Sequence, residues 1–210
     1  VLGLGLISDQ EKIVFTGHSL GGHLAAVASA LFPGLTEAAY TYNAPGYDFI
    51  LSSQMTARVI GLISGNSSFT VADFDSSKIH QLVGESTLLG HDADAISAIG
   101  KPFSSSRTDI FIEVNGLTGL PGHSIVQGVT SLAVYDLLLT LDNNLSTDAI
   151  AAILHAASNS ASSSIERVVE HVAKFFGFDG LALSTFVDAE PREHRDQFFS
   201  ALEAITSSPL

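Results

Sequence analysis

Residues 12–24 have the sequence KIVFTGHSLGGHL, and this stretch decides the fold. It begins with a short apolar, β-branched run, Ile13–Thr16, which predicts a buried strand that stops at Gly17. An alanine-rich run with helical character, Leu24–Leu31, follows the turn. A strand, a sharp turn and a helix are the context in which G-x-S-x-G forms a nucleophile elbow, so the sequence predicts that Ser19 is a nucleophile.

The turn around the serine carries its own structural expectations. The strand and helix backbones should pass close together at Gly17 and Gly21, where side chains would clash. The turn should hold Ser19 on strained backbone with its hydroxyl exposed. The first N–H groups of the helix, that of Leu20 above all, would then point to the place where a tetrahedral oxyanion forms. The alternative interpretation is an ordinary strand-to-helix turn without chemistry.

Two longer strings extend the pattern beyond the turn. VFTGHSLGGHLAAVAS at residues 14–29 and AYTYNAPGY at residues 39–47 resemble the class 3 lipases. Within that family they are most similar to bacterial secreted lipase-like proteins of the α/β-hydrolase fold, over Lys12–Leu141. The resemblance implies hydrolysis of acyl esters of lipids (triacylglycerol or phospholipid) by a serine, acid and histidine triad in that chain order. An acyltransferase, peptidase or thioesterase on the same triad, and a non-catalytic scaffold, are the alternatives.

The remaining elements of residues 1–141 alternate between strand and helix, which predicts an α/β fold: a mostly parallel, α/β-hydrolase-like sheet flanked by helices. The predicted elements are strands at Ala38–Asn43, Lys78–Val83 and Asp109–Val114, helices at Tyr47–Ile63 and from His123 to about Leu139, a short helix or lid-like loop at Asp92–Ile99, and a flexible polar segment at Lys101–Thr108.

The triad acid is expected just after the strand that follows the nucleophile unit. Glu85 lies in the short turn predicted after Lys78–Val83 and is the preferred candidate. A carboxylate there would accept the Nδ1–H of the catalytic histidine and stabilise the imidazolium. The alternative candidates for the acid are four aspartates: Asp73, Asp75, Asp92 and Asp94.

His123 is the candidate for the general base. It follows the last predicted strand and a glycine-rich loop, at the strand ends where α/β sheets place their sites. The segment PGHSIVQ around it also resembles the histidine-bearing segment of the bacterial relatives. His91 is the rival. The other histidines are interpreted as packing, turn or helix-face residues: His18, His23, His80, His155, His171 and His194.

Composition narrows the range of functions. The 210 residues carry a formal net charge of −13, which argues against binding to nucleic acid or to anionic membranes. There are no cysteines, which excludes disulfides and thiolate metal sites. Their absence fits the cytoplasm as well as export, and the resemblance favours a secreted bacterial protein. The chain has no H-x-x-x-H pair and no EF-hand, so we expect neither metal nor cofactor.

The domain organisation is predicted as a core at residues 1–141 and a helical extension at residues 142–210. Only about ten residues precede the elbow strand, although the second oxyanion donor of this architecture comes from an earlier loop. We therefore expect a missing N-terminal segment of the same protein, and feeble activity of the isolated chain.

The extension at residues 142–210 should contain three helices. The first is capped by Ser146 or Thr147 and ends near Ala157. The second begins with a capping box of Ser163 and Glu166 and carries an apolar stripe to Phe175 and Phe176. The third starts at Pro191 and should bury Phe198, Leu202 and Ile205.

Overall fold

The computed structural model describes residues 8, 10–48, 53–65, 68, 70, 75–86, 91–92, 102–103, 107–112, 123–157, 164–175, 177 and 191–207. The strands are β1 (Ile13–His18), β2 (Thr36–Tyr42), β3 (Ile79–Ser86), β4 (His91–Asp92) and β5 (Arg107–Phe111). The helices are α1 (Leu20–Leu31), α2 (Ser53–Ser64), α3 (Ile125–Leu141), α4 (Thr147–Ala157), α5 (Ser164–Phe175) and α6 (Pro191–Thr206). None of the helices in these ranges is both long and apolar enough to cross a membrane.

The sheet confirms the predicted α/β class. Strands β1, β2 and β3 are parallel neighbours in chain order, with α1 and α2 as the crossover helices. Phe15, Ala39 and Ile79 are aligned across these three strands. Strand β4 pairs antiparallel with β3, and β5 also pairs with β3. The parallel part of the sheet therefore contains the predicted elbow strand and its two successors.

The chain forms two compact units. The first comprises residues 1–83 and 94–109, and the second comprises residues 84–93 and 110–210. The boundary predicted at residue 141 does not coincide with this division, because α3 packs with α4, α5 and α6 in the second unit.

The core of the first unit lies between α1 and the sheet. Ala26 of α1 packs against Ala39 and Ile79, with Phe15 half-buried beside them. Phe103 completes this cluster and is only 4% exposed. The prediction of a flexible polar segment at Lys101–Thr108 is therefore wrong for Phe103, whose aromatic ring buries a large apolar surface.

The second unit has its own helical core. Phe198, Leu202 and Ile205 of α6 are buried, as the apolar pattern predicts. In α5 the buried apolar residues of the described part are one turn apart, at Ile165, Val169 and Ala173. The same pattern is wrong for Phe175, which is 84% exposed at the end of α5.

Helix boundaries follow the predicted caps in part. The Ala149 N–H donates to Ser146 Oγ at 3.1 Å, which confirms Ser146 as the cap of α4. Helix α2 begins at Ser53 rather than at Tyr47, which lies in a turn where its carbonyl accepts a bond from the Thr56 hydroxyl at 3.1 Å. Asp92 lies in strand β4 and not in a helix, because β3 supplies a backbone partner for it. The predictions for Ser163, Phe176 and the rest of Asp92–Ile99 lie outside the described residues.

Candidate active site

Ser19 is the single residue between β1 and α1, and its backbone is strained. Its φ is 58° and its ψ is −128°, and residues other than glycine seldom adopt such a left-handed φ. The Ser19 N–H donates to the Tyr42 carbonyl oxygen of β2 at 3.0 Å, which holds the turn to the neighbouring strand. The side chain is half-buried and makes no capping bond to the helix. The predicted strand, sharp turn and helix with a strained serine are confirmed.

The expectation for the glycines is half right. A Cβ on Gly17 would lie 2.3 Å from the carbonyl carbon and oxygen of Gly21, so the strand and helix backbones do touch there. A Cβ on Gly21, however, would meet nothing within 4 Å. The second crowded position is Gly22, whose Cβ would lie 2.7 Å from the Gly17 carbonyl oxygen and from Ala44 Cβ. The prediction is therefore right about the close approach of the two backbones and wrong about a side-chain clash at Gly21, because the helix residue without room for a Cβ is Gly22.

The first turn of α1 presents backbone donors next to Ser19. The first hydrogen bond of the helix is from the His23 N–H to the Ser19 carbonyl oxygen at 3.1 Å. The N–H groups of Leu20, Gly21 and Gly22 come before it and have no carbonyl one turn earlier in the helix. They also lie at the positive end of the helix dipole, and no acidic side chain occupies this turn. This arrangement can stabilise a negative oxygen bonded to Ser19.

His123 lies in the turn directly before α3 and is half-buried. It belongs to the second unit, whereas Ser19 belongs to the first. Its rival His91 is paired with Ser86 in the β3–β4 ladder. The predicted position of His123, at the entry to a helix, is confirmed, and its role as a base stays a prediction.

Glu85 is not in a turn after the third strand, as the sequence predicted. It lies inside β3, half-buried, and its carbonyl oxygen accepts a bond from the Ile112 N–H at 3.0 Å. The strand continues past Val83 because β4 pairs with Glu85 and Ser86, and Ile112 bonds to the Glu85 backbone. At Gly84, a Cβ would lie 2.6 Å from Ile112 Cδ1, so glycine permits the close approach of that side chain.

The structure brings two of the acid candidates together. Glu85 and Asp92 are directly paired in the antiparallel β3–β4 ladder. Asp75 has a structural role instead, because it caps the short 3₁₀ turn Ser76–Lys78 by accepting bonds from the Ser77 N–H at 3.2 Å and the Ser77 hydroxyl at 2.5 Å. The hydroxyl bond holds the pKa of Asp75 below its usual value. Asp73 and Asp94 lie outside the described residues.

The histidines interpreted as packing residues include two that the structure clearly places. His23 is buried, its Nδ1 lies 3.0 Å from the Gly46 carbonyl oxygen, and its ring meets the Phe103 ring edge-on at 5.4 Å. The carbonyl can only accept, so Nδ1 carries the proton. His80 stacks on Tyr40 at a centroid distance of 4.9 Å. The packing interpretation is confirmed for both.

One residue near Ser19 was not singled out from the sequence. Asn43 directly follows β2, has a φ of 48° and is 5% exposed. The signal for it was present, since asparagine before Ala44 and Pro45 is a common choice for a left-handed turn position.

Nowhere in the described ranges do three or more histidine, aspartate or glutamate side chains gather as metal ligands would. No protein-family model, no curated protein and no solved structure matches this chain.

Proposed function

We propose that this chain is a serine ester hydrolase of lipase type with an α/β-hydrolase fold, acting on acyl esters of lipids such as triacylglycerols or phospholipids. The observation that carries the proposal is the strained backbone of Ser19 between a parallel strand and a helix. Backbone strain at a residue with a side chain is concentrated at functional sites. A serine on this turn is the arrangement of a nucleophile elbow.

The surroundings of Ser19 support acyl transfer in particular. A nucleophilic hydroxyl needs donors that stabilise the oxyanion formed by its attack, and the first turn of α1 offers the N–H groups that begin with Leu20. The sequence strings at residues 14–29 and 39–47, which resemble class 3 lipases, favour lipid esters as the substrates.

The proposed reaction proceeds through an acyl-enzyme. Ser19 Oγ attacks the ester carbonyl carbon while His123 takes the hydroxyl proton, and the oxyanion binds the Leu20 N–H. The intermediate then breaks its bond to the alcohol oxygen, which receives the proton from His123. Water attacks the acyl-enzyme with His123 again as base, and the carboxylic acid and free Ser19 are released. Glu85 orients His123 in this proposal, with Asp92 as the alternative acid.

The proposal is tested with a fluorophosphonate, which phosphonylates activated serines, followed by intact mass. We expect one adduct, absent in Ser19→Ala and slowed about 100-fold or more in His123→Ala. His171→Ala is the matched control, because this exposed histidine bonds to the Arg167 carbonyl oxygen of its own helix, and the variant should label at the normal rate. Incubation is long and the probe concentrated, so that slow labelling is also detected.

A folded chain without an adduct would overturn the proposal, as would equal labelling of the His123→Ala variant. If labelling succeeds, nitrophenyl esters of short and long acyl chains distinguish an esterase from a lipase. Addition of an alcohol acceptor tests the acyltransferase alternative, because the acyl group would then pass to the alcohol rather than to water.

A further inference from the structure

Two residues other than glycine have a left-handed φ in the described part of the chain, and they follow neighbouring strands. These are Ser19 at 58° and Asn43 at 48°. They come directly after His18 and Tyr42, which are paired in the parallel β1–β2 ladder. A left-handed φ is unfavourable in free energy for a residue that has a side chain. Two such residues after neighbouring strands, at one end of a sheet, therefore suggest a common reason.

Backbone hydrogen bonds tie each of the two residues to the next strand. The Ser19 N–H donates to the Tyr42 carbonyl oxygen at 3.0 Å, and the Asn43 N–H donates to the Leu82 carbonyl oxygen at 2.9 Å. The carbonyl of Tyr42 belongs to the peptide unit that joins it to Asn43. A rotation of the backbone at Asn43 would therefore disturb the acceptor that holds Ser19.

The segment after Asn43 forms the surface against which the first turn of α1 packs. Ala44 and Gly46 are both buried. A Cβ on Gly22 would lie 2.7 Å from Ala44 Cβ, and His23 Nδ1 donates to the Gly46 carbonyl oxygen at 3.0 Å. The conformation of Asn43 sets the direction in which this segment leaves β2, and with it the position of the helix donors next to the elbow.

We infer that Asn43 is a positioning residue for Ser19 and acts through its left-handed backbone. The inference rests on the proposed role of Ser19 as the nucleophile. Asparagine is one of the few side chains that tolerate this conformation, whereas alanine favours the right-handed and extended regions. A shift of the first turn of α1 by about 1 Å would be enough to slow the reaction of Ser19 about 100-fold.

The test compares Asn43→Ala, Asn43→Gly and Asn43→Asp in the whole chain. Each variant is reacted with the fluorophosphonate about 15 °C below its own melting temperature, so that only folded protein is compared. We expect the alanine variant to react about 10- to 100-fold more slowly than the unchanged chain at the same temperature. The glycine and aspartate variants should stay within about threefold, because both residues accept a positive φ.

Equal reactivity of the alanine variant and the unchanged chain would overturn the inference. So would a glycine variant that is as slow as the alanine variant, since the side chain rather than the backbone would then be responsible. The glycine and aspartate variants keep the test decisive if the alanine variant does not fold. In that case one of them slowed more than about tenfold overturns the inference, and both at the normal rate support it.

Amide hydrogen exchange separates this inference from the proposed function. The Ser19 and His23 N–H groups are bonded to Tyr42 and to Ser19, and their exchange reports the elbow without any chemistry. We expect faster exchange of both in Asn43→Ala and unchanged exchange in Asn43→Gly. If the unchanged chain does not label but exchange follows this pattern, the proposed function fails and the positioning role stands. Unchanged exchange in the alanine variant refutes the positioning role whether or not Ser19 labels.

Discussion

A Cβ atom on Gly17 would lie 2.3 Å from the carbonyl carbon of Gly21, so bare backbone of β1 touches bare backbone of the first turn of α1. Real Cβ atoms essentially never come so close to another atom, and backbone cannot give way as the end of a side chain can. At Gly21 itself an added Cβ would meet nothing within 4 Å. The two glycines of the G-x-S-x-G pattern therefore have different physical roles.

Alanine substitutions at the two positions should separate these roles. Gly17→Ala forces the strand and the helix apart, and we expect it to lower the free energy of unfolding by about 3 kcal/mol and to abolish labelling of Ser19. Gly21→Ala adds a methyl group in open space and restricts a helical glycine, so it should raise stability by up to about 1 kcal/mol. Urea unfolding followed by circular dichroism measures both, and similar losses in the two variants would contradict the close contact.

Thr41, which is paired with Gly17 in the β1–β2 ladder, offers a test of polar burial. Its side chain is 1% exposed, and within the described structure its hydroxyl has no hydrogen-bond partner. An unsatisfied buried hydroxyl costs about 1 to 3 kcal/mol, so Thr41→Val should raise the free energy of unfolding by about 1 kcal/mol.

The matched control for this change is Thr36→Val. Thr36 is 2% exposed, but its hydroxyl donates to the Phe32 carbonyl oxygen at 2.8 Å. Loss of this hydrogen bond in Thr36→Val should lower the free energy of unfolding by about 1 kcal/mol. Urea unfolding of both variants decides the matter. If Thr41→Val is as destabilising as Thr36→Val, the Thr41 hydroxyl has a partner in solution.

Tyr135 should make the fold sensitive to alkaline pH. Burial raises the pKa of its phenol, and the charge of Asp148 adds a smaller effect, while the hydrogen bond from the Phe111 N–H at 3.1 Å partly opposes them. The folded pKa lies above the unfolded value of about 10, so the stability linked to the neutral phenol is complete below pH 10 and lost as the pH rises through the folded pKa. Urea unfolding between about pH 8 and 11 should show a smaller decline in Tyr135→Phe than in the unchanged chain. Parallel declines would contradict the prediction.

Amide substitutions at two carboxylates test the assignment of the acid. On the proposed mechanism, Glu85→Gln should slow labelling of Ser19 about 100-fold or more, because the amide cannot stabilise the imidazolium of His123. Asp75→Asn is the matched change at a carboxylate that caps a turn, and it should leave the rate within about threefold. A large loss in Asp75→Asn alone would transfer the role to Asp75, and normal rates in both would leave Asp92 as the acid to test.

The elbow could be predicted because its causes are local in sequence. Residues 13–31 contain all of them: a β-branched run, a glycine at a position where no side chain fits, and an alanine-rich helix. The strain at Ser19 follows from the same few residues. Which glycine of the helix has no room for a Cβ depends on the helix phase after the turn, and for this reason Gly22 was missed.

The surroundings of the other candidates depend on contacts that are distant in sequence. Glu85 was expected in a turn after Val83, and only the pairing of β4 and β5 with β3 extends the strand through it. Phe103 precedes three serines in the sequence, and these neighbours do not show that its ring contacts the rings of Tyr47 and His23. Asn43 carried a recognisable turn signal. Its proposed positioning role, however, depends on the contacts of Tyr42 with Ser19 and of Ala44 with Gly22, which are distant in sequence.

The left-handed φ of Ser19 means that the folded chain would be more stable with a different residue at this position. Glycine adopts such a backbone with little strain, so Ser19→Gly should relax the turn and gain about 1 to 2 kcal/mol of stability while removing the Ser19 hydroxyl. Stability of the fold and reactivity of the serine thus place opposite demands on a single residue. Screening for heat resistance alone would select glycine at this position and discard the proposed chemistry.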